Sequence, residues 1–197
     1  MSDFTLYLQT GLEHILDPQG YDHILFVISL GVIYTLKNWR KLFWLVTAFT
    51  IGHSLTLALA TLKIVKVNSE IIEFLIPATI IFSCFTNFFY SPQTSQNQQN
   101  KVEIYLRYVI TLFFGLIHGL GFSNFLTSLL GKQANITLPL LAFNIGLEIG
   151  QLVILSVLML VLVILGISQV KQRDSILIIS GITCGVAITL LIDKWIF

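Results

Sequence analysis

The chain has 197 residues, of which 55% are hydrophobic and 11% are charged, and its formal net charge at pH 7 is +1. Soluble domains carry about 25% charged residues, so this composition excludes a soluble protein and indicates an integral membrane protein with a single domain. A net charge so close to zero gives no reason to expect a nucleic-acid partner. The partner that the composition implies is the lipid bilayer.

Apolar segments long enough, or nearly long enough, to cross a bilayer follow one another along the chain. They predict an all-α bundle of about six transmembrane helices, at residues 21–36, 42–62, 71–90, 108–130, 138–167 and 176–196. A shorter apolar segment at 4–16 is interpreted as an interfacial or re-entrant helix, and would be a seventh if it spans. Turn residues at 17–20 separate it from the first long segment. The polar stretch 91–103 is predicted to be a flexible loop that divides the bundle into halves.

Basic residues in the connections predict the orientation, because cytoplasmic loops of membrane proteins are enriched in Lys and Arg. One side carries Lys37, Arg40, Lys41, Lys101, Arg107, Lys171 and Arg173, and the other carries only Lys63, Lys66, Lys132 and Lys194. We therefore expect both termini to lie outside the cytoplasm. The simplicity of the chain fits a bacterial inner membrane.

Ionisable groups in or beside the apolar segments are the most informative feature of the sequence. They are His14, Asp22, His23, His53, His118 and Glu148. Such groups are costly at membrane depth unless they pair, bind an ion or face water. With the predicted orientation they fall between the outer interface and the bilayer centre, so they could share one cavity. Imidazole and carboxylate ligands suit a divalent transition metal, especially nickel, cobalt or zinc.

Polar and small residues accompany these candidates. Asn144, Glu148 and Gln151 share one helix face by their spacing, and Thr50 and Ser54 flank His53. Glycines lie near the same groups, and small residues let membrane helices approach closely; they are Gly52, Gly115, Gly119, Gly121, Gly146 and Gly150. A simpler reading stays open, in which each histidine only bridges two helices, Asp22 caps a helix, and Asn144 and Gln151 only join neighbouring helices.

Four segments together are similar to the motifs of a known family. They are His14 with Gly20–His23, Phe49–Thr56, Phe114–Phe122 and Phe143–Gln151. In this combination the chain resembles the HupE/UreJ family of membrane proteins, which is associated with nickel or cobalt transport. The resemblance implies a bundle of six or seven helices and metal recognition by His14, Asp22 and His23. A typical member has a His-Pro pair closer to the Gly-x-Asp-His element, whereas here Pro18 follows Asp17.

The leading hypothesis is a permease for Ni²⁺ or Co²⁺. Asp22 and His23 would capture the hydrated ion at the outer mouth, helped by His14, and His53, His118 and Glu148 would bind it more deeply. Protonation would weaken these ligands, so we expect metal affinity to fall as the pH drops. The sequence contains no GxxxxGK[ST] nucleotide-binding motif, so transport would be facilitated, ion-coupled or powered by a partner.

Two other functions remain open at this point. The first is an intramembrane zinc-dependent hydrolase, in which His23, His53 and His118 would hold Zn²⁺ and Asp22 or Glu148 would act as general base. The second is a metal-sensing or assembly component that works with a maturation partner of a metalloenzyme. Under the permease hypothesis no residue is assigned a catalytic role, and the oligomeric state is left open.

Overall fold

A computed structural model of the chain describes residues 3–92, 101–130 and 136–194. Within these ranges the regular elements are all helical: α1 (Asp3–Leu16), α2 (Asp22–Gly31), a 3-10 turn (Leu36–Asn38), α3 (Trp39–Thr61), α4 (Ser69–Phe88), α5 (Lys101–Gly121), α6 (Ser123–Leu130), α7 (Thr137–Ile167) and α8 (Gln172–Asp193). Five of these described helices, α3, α4, α5, α7 and α8, are long and apolar enough to cross a membrane. The predicted all-α membrane bundle is confirmed.

Two predicted segments have boundaries that differ from the structure by five residues or more at one end. The helix predicted at 21–36 ends at Gly31, because three of the next four residues are β-branched and disfavour a helix. The helix predicted at 108–130 begins at Lys101 and is interrupted at Phe122. Gly121, which has a low helix propensity, precedes Phe122, and the hydroxyl of Ser123 donates to the carbonyl of Leu120 at 2.7 Å.

The predicted polar loop ends earlier along the chain than expected. Residues 101–103 of the segment 91–103 already belong to α5. The remainder of the prediction falls mostly on residues 93–100, which lie outside the described residues. The break between the two halves of the bundle is therefore bounded by Phe88, where α4 ends, and by Lys101, where α5 begins.

The N-terminal segment is part of the bundle rather than an interfacial helix. A Cβ atom added at Gly11 would overlap the carbonyl oxygen of Phe143, and one added at Gly150 would overlap the side chain of Ile15. This order of contacts shows that α1 runs parallel to the first half of α7, with the two backbones touching. Small residues at these positions permit that approach.

Helices α1 and α2 together form one broken crossing of the bundle. At 1.5 Å per residue they are about 21 Å and 15 Å long, so neither reaches across a bilayer core of about 30 Å alone. Near its start α2 faces Ile76 of α4, and near its end the carbonyl of Ser29 accepts from Asn87 of α4 at 2.8 Å. Helix α2 therefore continues across the bundle in the same direction as α1. Discontinuous helices of this kind form substrate sites in membrane transporters.

Helices α3 and α5 also run parallel with their backbones in contact. A Cβ at Gly115 would overlap the carbonyl oxygen of Phe49, and a Cβ at Gly119 would overlap that of His53. Gly52 meets the backbone of Leu112 in the same way. We call this backbone contact between α3 and α5 a seam. It brings His53 and the adjoining end of α5 to the same level of the bundle.

The helix ends lie on two opposite faces. We call the face that holds the α3–α4 connection at 62–68 the proximal face, because the histidines lie nearer to it. The opposite face, which holds the connections at 32–38 and 168–171, is the distal face. On the distal face Arg173 donates to the carbonyls of Asn87, Phe88 and Tyr90 and so caps α4. In the connections predicted to be cytoplasmic, the residues that the structure describes belong to the distal face.

Candidate metal centre

Four histidines meet where the end of α1, the start of α2, the middle of α3 and the end of α5 converge. His23, His53 and His118 are 4%, 0% and 0% exposed, and His14 is partly buried. The ring centres of His14 and His23 are 4.5 Å apart, and those of His23 and His118 are 5.2 Å apart. The break between α1 and α2 is what makes this possible, because it turns both helix ends toward α3.

Three of these residues form a group with the spacing of a metal site. The ligand nitrogens of His14, His23 and His53 all lie within 4.8 Å of one another, and we call this group the three-histidine cluster. Metal–nitrogen bonds are about 2.0–2.1 Å long, so the rings would have to draw together by about 1 Å around an ion. Imidazole nitrogens suit nickel, cobalt and zinc.

Four ring nitrogens of the cluster are buried without hydrogen-bond partners among the described residues. This holds for Nε2 of His14, Nε2 of His23 and both ring nitrogens of His53. Buried polar atoms normally have a partner, and leaving one without costs free energy. A cation at the centre of the cluster would satisfy one nitrogen of each ring at once.

Asp22 orients a ring of the cluster. Its Oδ1 lies 2.9 Å from Nδ1 of His23 and accepts the backbone N–H of His23 at 2.8 Å. An ionised carboxylate only accepts, so it favours the tautomer with the proton on Nδ1 and leaves Nε2 free to bind a metal. The sequence hypothesis treated Asp22 as a direct ligand, whereas its contact is with His23.

His118 lies beside the three-histidine cluster. Its Nε2 is 3.0 Å from the hydroxyl of Thr79, and its Nδ1 has no hydrogen-bond partner among the described residues. The opposite side of the ring packs on Phe26 and Phe49, with ring centres 4.7 Å and 5.3 Å away. Sequence analysis did not single out Thr79. Its spacing from Ser83 and Thr86 on one helix face was the signal that could have found it.

Glu148 is in a second polar group, further from the proximal face. Thr47 donates to its Oε1 at 2.6 Å, and Thr50 donates to Oε1 of Gln151 at 2.9 Å. We call these four residues the α3–α7 polar layer. Thr47 precedes His53 by six residues, which is about 9 Å along a helix. The structure therefore does not bring Glu148 into the three-histidine cluster, because the carboxylate is held at the α3–α7 seam.

The remaining predicted polar residues have local roles. Ser54 donates to the carbonyl of Thr50 at 2.6 Å, within α3. Asn144 is partly buried, and its Oδ1 has no hydrogen-bond partner among the described residues. Two aromatic rings that sequence analysis did not single out pack on the cluster. The ring centre of Phe122 is 3.7 Å from that of His14, and Phe143 stacks on His53 at 6.3 Å.

Two cavities flank the break between α1 and α2. One is lined by residues 19–22 together with Glu73 and Lys194, and the other by residues 12–14 and 16–18 together with Phe122. Carboxylates line both. In the first cavity Glu73 is paired with Lys194 at 2.7 Å, which leaves Asp22, and the second cavity holds Glu13 and Asp17. Carboxylates at a mouth raise the local concentration of cations. The histidines can therefore be approached from the proximal face.

The fold and the site together define the class of protein: an integral membrane helical bundle with a buried histidine cluster beside a broken helix. A family model described as HupE / UreJ protein matches residues 1–196, so the chain belongs to the HupE/UreJ family. That family is linked to nickel and cobalt transport, which favours a transporter over the zinc hydrolase. Comparisons with curated proteins and with solved structures give no match.

Proposed function

We propose that this protein carries Ni²⁺ or Co²⁺ across the membrane and that the three-histidine cluster binds the ion as cargo. The observation that carries the proposal is the group of ring nitrogens within 4.8 Å, each from a different helix. Their lack of partners among the described residues supports it. Membership of a family linked to transport of these metals supports it independently.

The proposed route begins at the proximal face. A hydrated cation enters past the carboxylates that flank the α1–α2 break, and the imidazoles of His14, His23 and His53 replace part of its water shell. Asp22 keeps Nε2 of His23 available throughout. His118, whose ring centre is 5.2 Å from that of His23, is the next acceptor. Because neutral imidazole is the ligand, binding weakens as the pH falls.

The test is calorimetric titration of detergent-purified protein with Ni²⁺, Co²⁺ and Zn²⁺, beside metal uptake by cells. We expect one exchangeable nickel or cobalt ion per chain in the wild type. His53→Ala should lower the affinity by about 100-fold or more and abolish uptake. Ser54→Ala is the matched control, because it changes the next residue of α3 without touching a ring of the cluster. Wild-type binding and uptake in His53→Ala would overturn the proposal, and so would one tightly retained zinc ion with hydrolytic activity.

A further inference from the structure

A separate cavity lies between the histidines and the distal face, among α2, α3, α4 and α5. It is partly open, and the exposed side chains of Phe82 and Leu106 belong to its lining. Its polar lining includes Ser29, Ser83, Thr86, Asn87 and Thr111, and Glu103 and Arg107 stand at its distal end. Ser29, Asn87 and Thr111 are 1%, 2% and 2% exposed. Buried hydroxyl and amide groups in membrane helices either join neighbouring helices or line a path for an ion or a polar substrate. Asn87 joins α4 to α2 through the carbonyl of Ser29, and Ser83 and Thr111 line the cavity.

Two helices connect this cavity to the histidines in the same pattern. On α2 the order toward the distal face is His23, Phe26, Ser29, and on α5 it is His118, Phe114, Thr111. Residues three or four apart share a helix face. On α5 the imidazole, the phenylalanine and the hydroxyl share one helix face. On α2 they follow one another at intervals of three residues, so Ser29 is rotated by about 120° from His23 around the helix. On α4 Thr79, which contacts His118, shares a face with Ser83 of the cavity.

Three phenylalanine rings lie between the histidines and the cavity. The ring centre of Phe26 is 4.9 Å from that of Phe49 and 5.9 Å from that of Phe114. All three are buried, and Phe114 lines the cavity while Phe26 and Phe49 touch His118. A constriction of apolar rings excludes a hydrated ion while it is closed.

We propose that this cavity is the distal half of the ion path and that it takes a hydrated divalent cation. Phe26, Phe49 and Phe114 form a gate between the histidines and the cavity. The inference rests on the proposed function and adds the route beyond the histidines. Neutral hydroxyl and amide groups bind a hydrated cation weakly, which suits release. The α3–α7 polar layer does not line this cavity, and its carboxylate and amide oxygens accept hydrogen bonds where α3 meets α7.

The first test fills the cavity. Thr111→Leu should lower nickel uptake by about tenfold or more, because an apolar side chain blocks a water-filled path. Its metal affinity by calorimetry should stay within about twofold of wild type, since the three-histidine cluster is untouched. Thr189→Leu is the matched control, because Thr189 is exposed on the outside of α8. Wild-type uptake in Thr111→Leu overturns this route while leaving the proposed function intact, whereas wild-type uptake in His53→Ala overturns the function itself.

The second test asks whether water reaches the cavity from the distal face. Cys84 and Cys184 are replaced by alanine, in a background shown to retain uptake, and Thr111→Cys is compared with Val109→Cys. Val109 is 43% exposed on the outside of α5. A charged thiol reagent applied from the distal face should react with Thr111→Cys only, and the reaction should stop uptake. An unreactive Thr111→Cys, or uptake unaffected by the reaction, would overturn the proposal.

Discussion

At the scale of single residues, the contact between Asp22 and His23 shows how one side chain prepares another for metal binding. The carboxylate accepts hydrogen bonds from the ring Nδ1–H and from the backbone N–H of His23, at 2.9 Å and 2.8 Å. The ring is therefore fixed in orientation and in tautomer, with Nε2 toward the three-histidine cluster. A carboxylate in this position acts through the histidine it holds.

Asp22→Asn should lower nickel affinity by about 10- to 100-fold, because the amide keeps the size of the side chain but loses the charge that favours the proton on Nδ1. Titration calorimetry of the purified variant measures the change. Asp193→Asn, at an exposed position near the end of α8, should bind as wild type. Equal affinities in the two variants would show that Asp22 does not orient the ring.

At the scale of helices, glycine seams decide where the histidines meet. Gly115 and Gly119 place the backbone of α5 against that of α3, and Gly11 and Gly150 place α1 against α7. These contacts leave no room for a Cβ, so the helix positions cannot relax outward without separating the rings. The break between α1 and α2 then brings His14 beside His23, with ring centres 4.5 Å apart.

Gly119→Ala should destabilise the protein by about 1–3 kcal/mol, because the added Cβ would overlap the carbonyl oxygen of His53. The measurement is the thermal midpoint of unfolding in detergent, together with nickel affinity, which should fall as the seam opens. Gly181→Ala is the control, because a Cβ there meets no atom within 4 Å. A Gly119→Ala midpoint at or above that of Gly181→Ala would contradict this account of the seam.

At the scale of the whole molecule, the histidines lie toward one face and most of the connections predicted to be basic lie toward the other. The distal face carries both the basic connections and the end of the proposed ion path. If the basic connections face the cytoplasm, as their composition predicts, the three-histidine cluster opens to the outside. An ion that enters through the cavities beside the α1–α2 break would then move inward, and under the proposed function we expect import.

Cysteine labelling tests this orientation. In a background without the native cysteines, Val67→Cys in the α3–α4 connection should react with an impermeant maleimide added to intact cells. Ser168→Cys in the α7–α8 connection should react only after the cells are permeabilised, because the positive-inside rule places it in the cytoplasm. The reverse pattern would place the three-histidine cluster on the cytoplasmic side and make the protein an exporter.

Much of the fold could be predicted from the sequence, because a membrane helix is a local property of its segment. An apolar run of sufficient length must form a helix to satisfy its backbone in lipid, and the runs at 138–167 and 71–90 correspond to α7 and α4 within a few residues. The end of α2 at Gly31 and the interruption at Phe122 were missed. Both depend on small differences in helix propensity between neighbouring residues. The mean hydropathy of an apolar segment does not show such differences.

The sequence by itself determined that the protein is a membrane bundle and which ionisable groups are candidates for its site, because the cost of a charge in lipid depends only on the residue and its apolar surroundings. Only the tertiary structure decided which candidates meet. His14 and His23 join His53, Asp22 holds His23, His118 stands beside them, and Glu148 pairs with Thr47 instead. The physical reason is that the direction of a side chain around its helix axis is set by which backbones can touch, and here glycine contacts between distant segments set it.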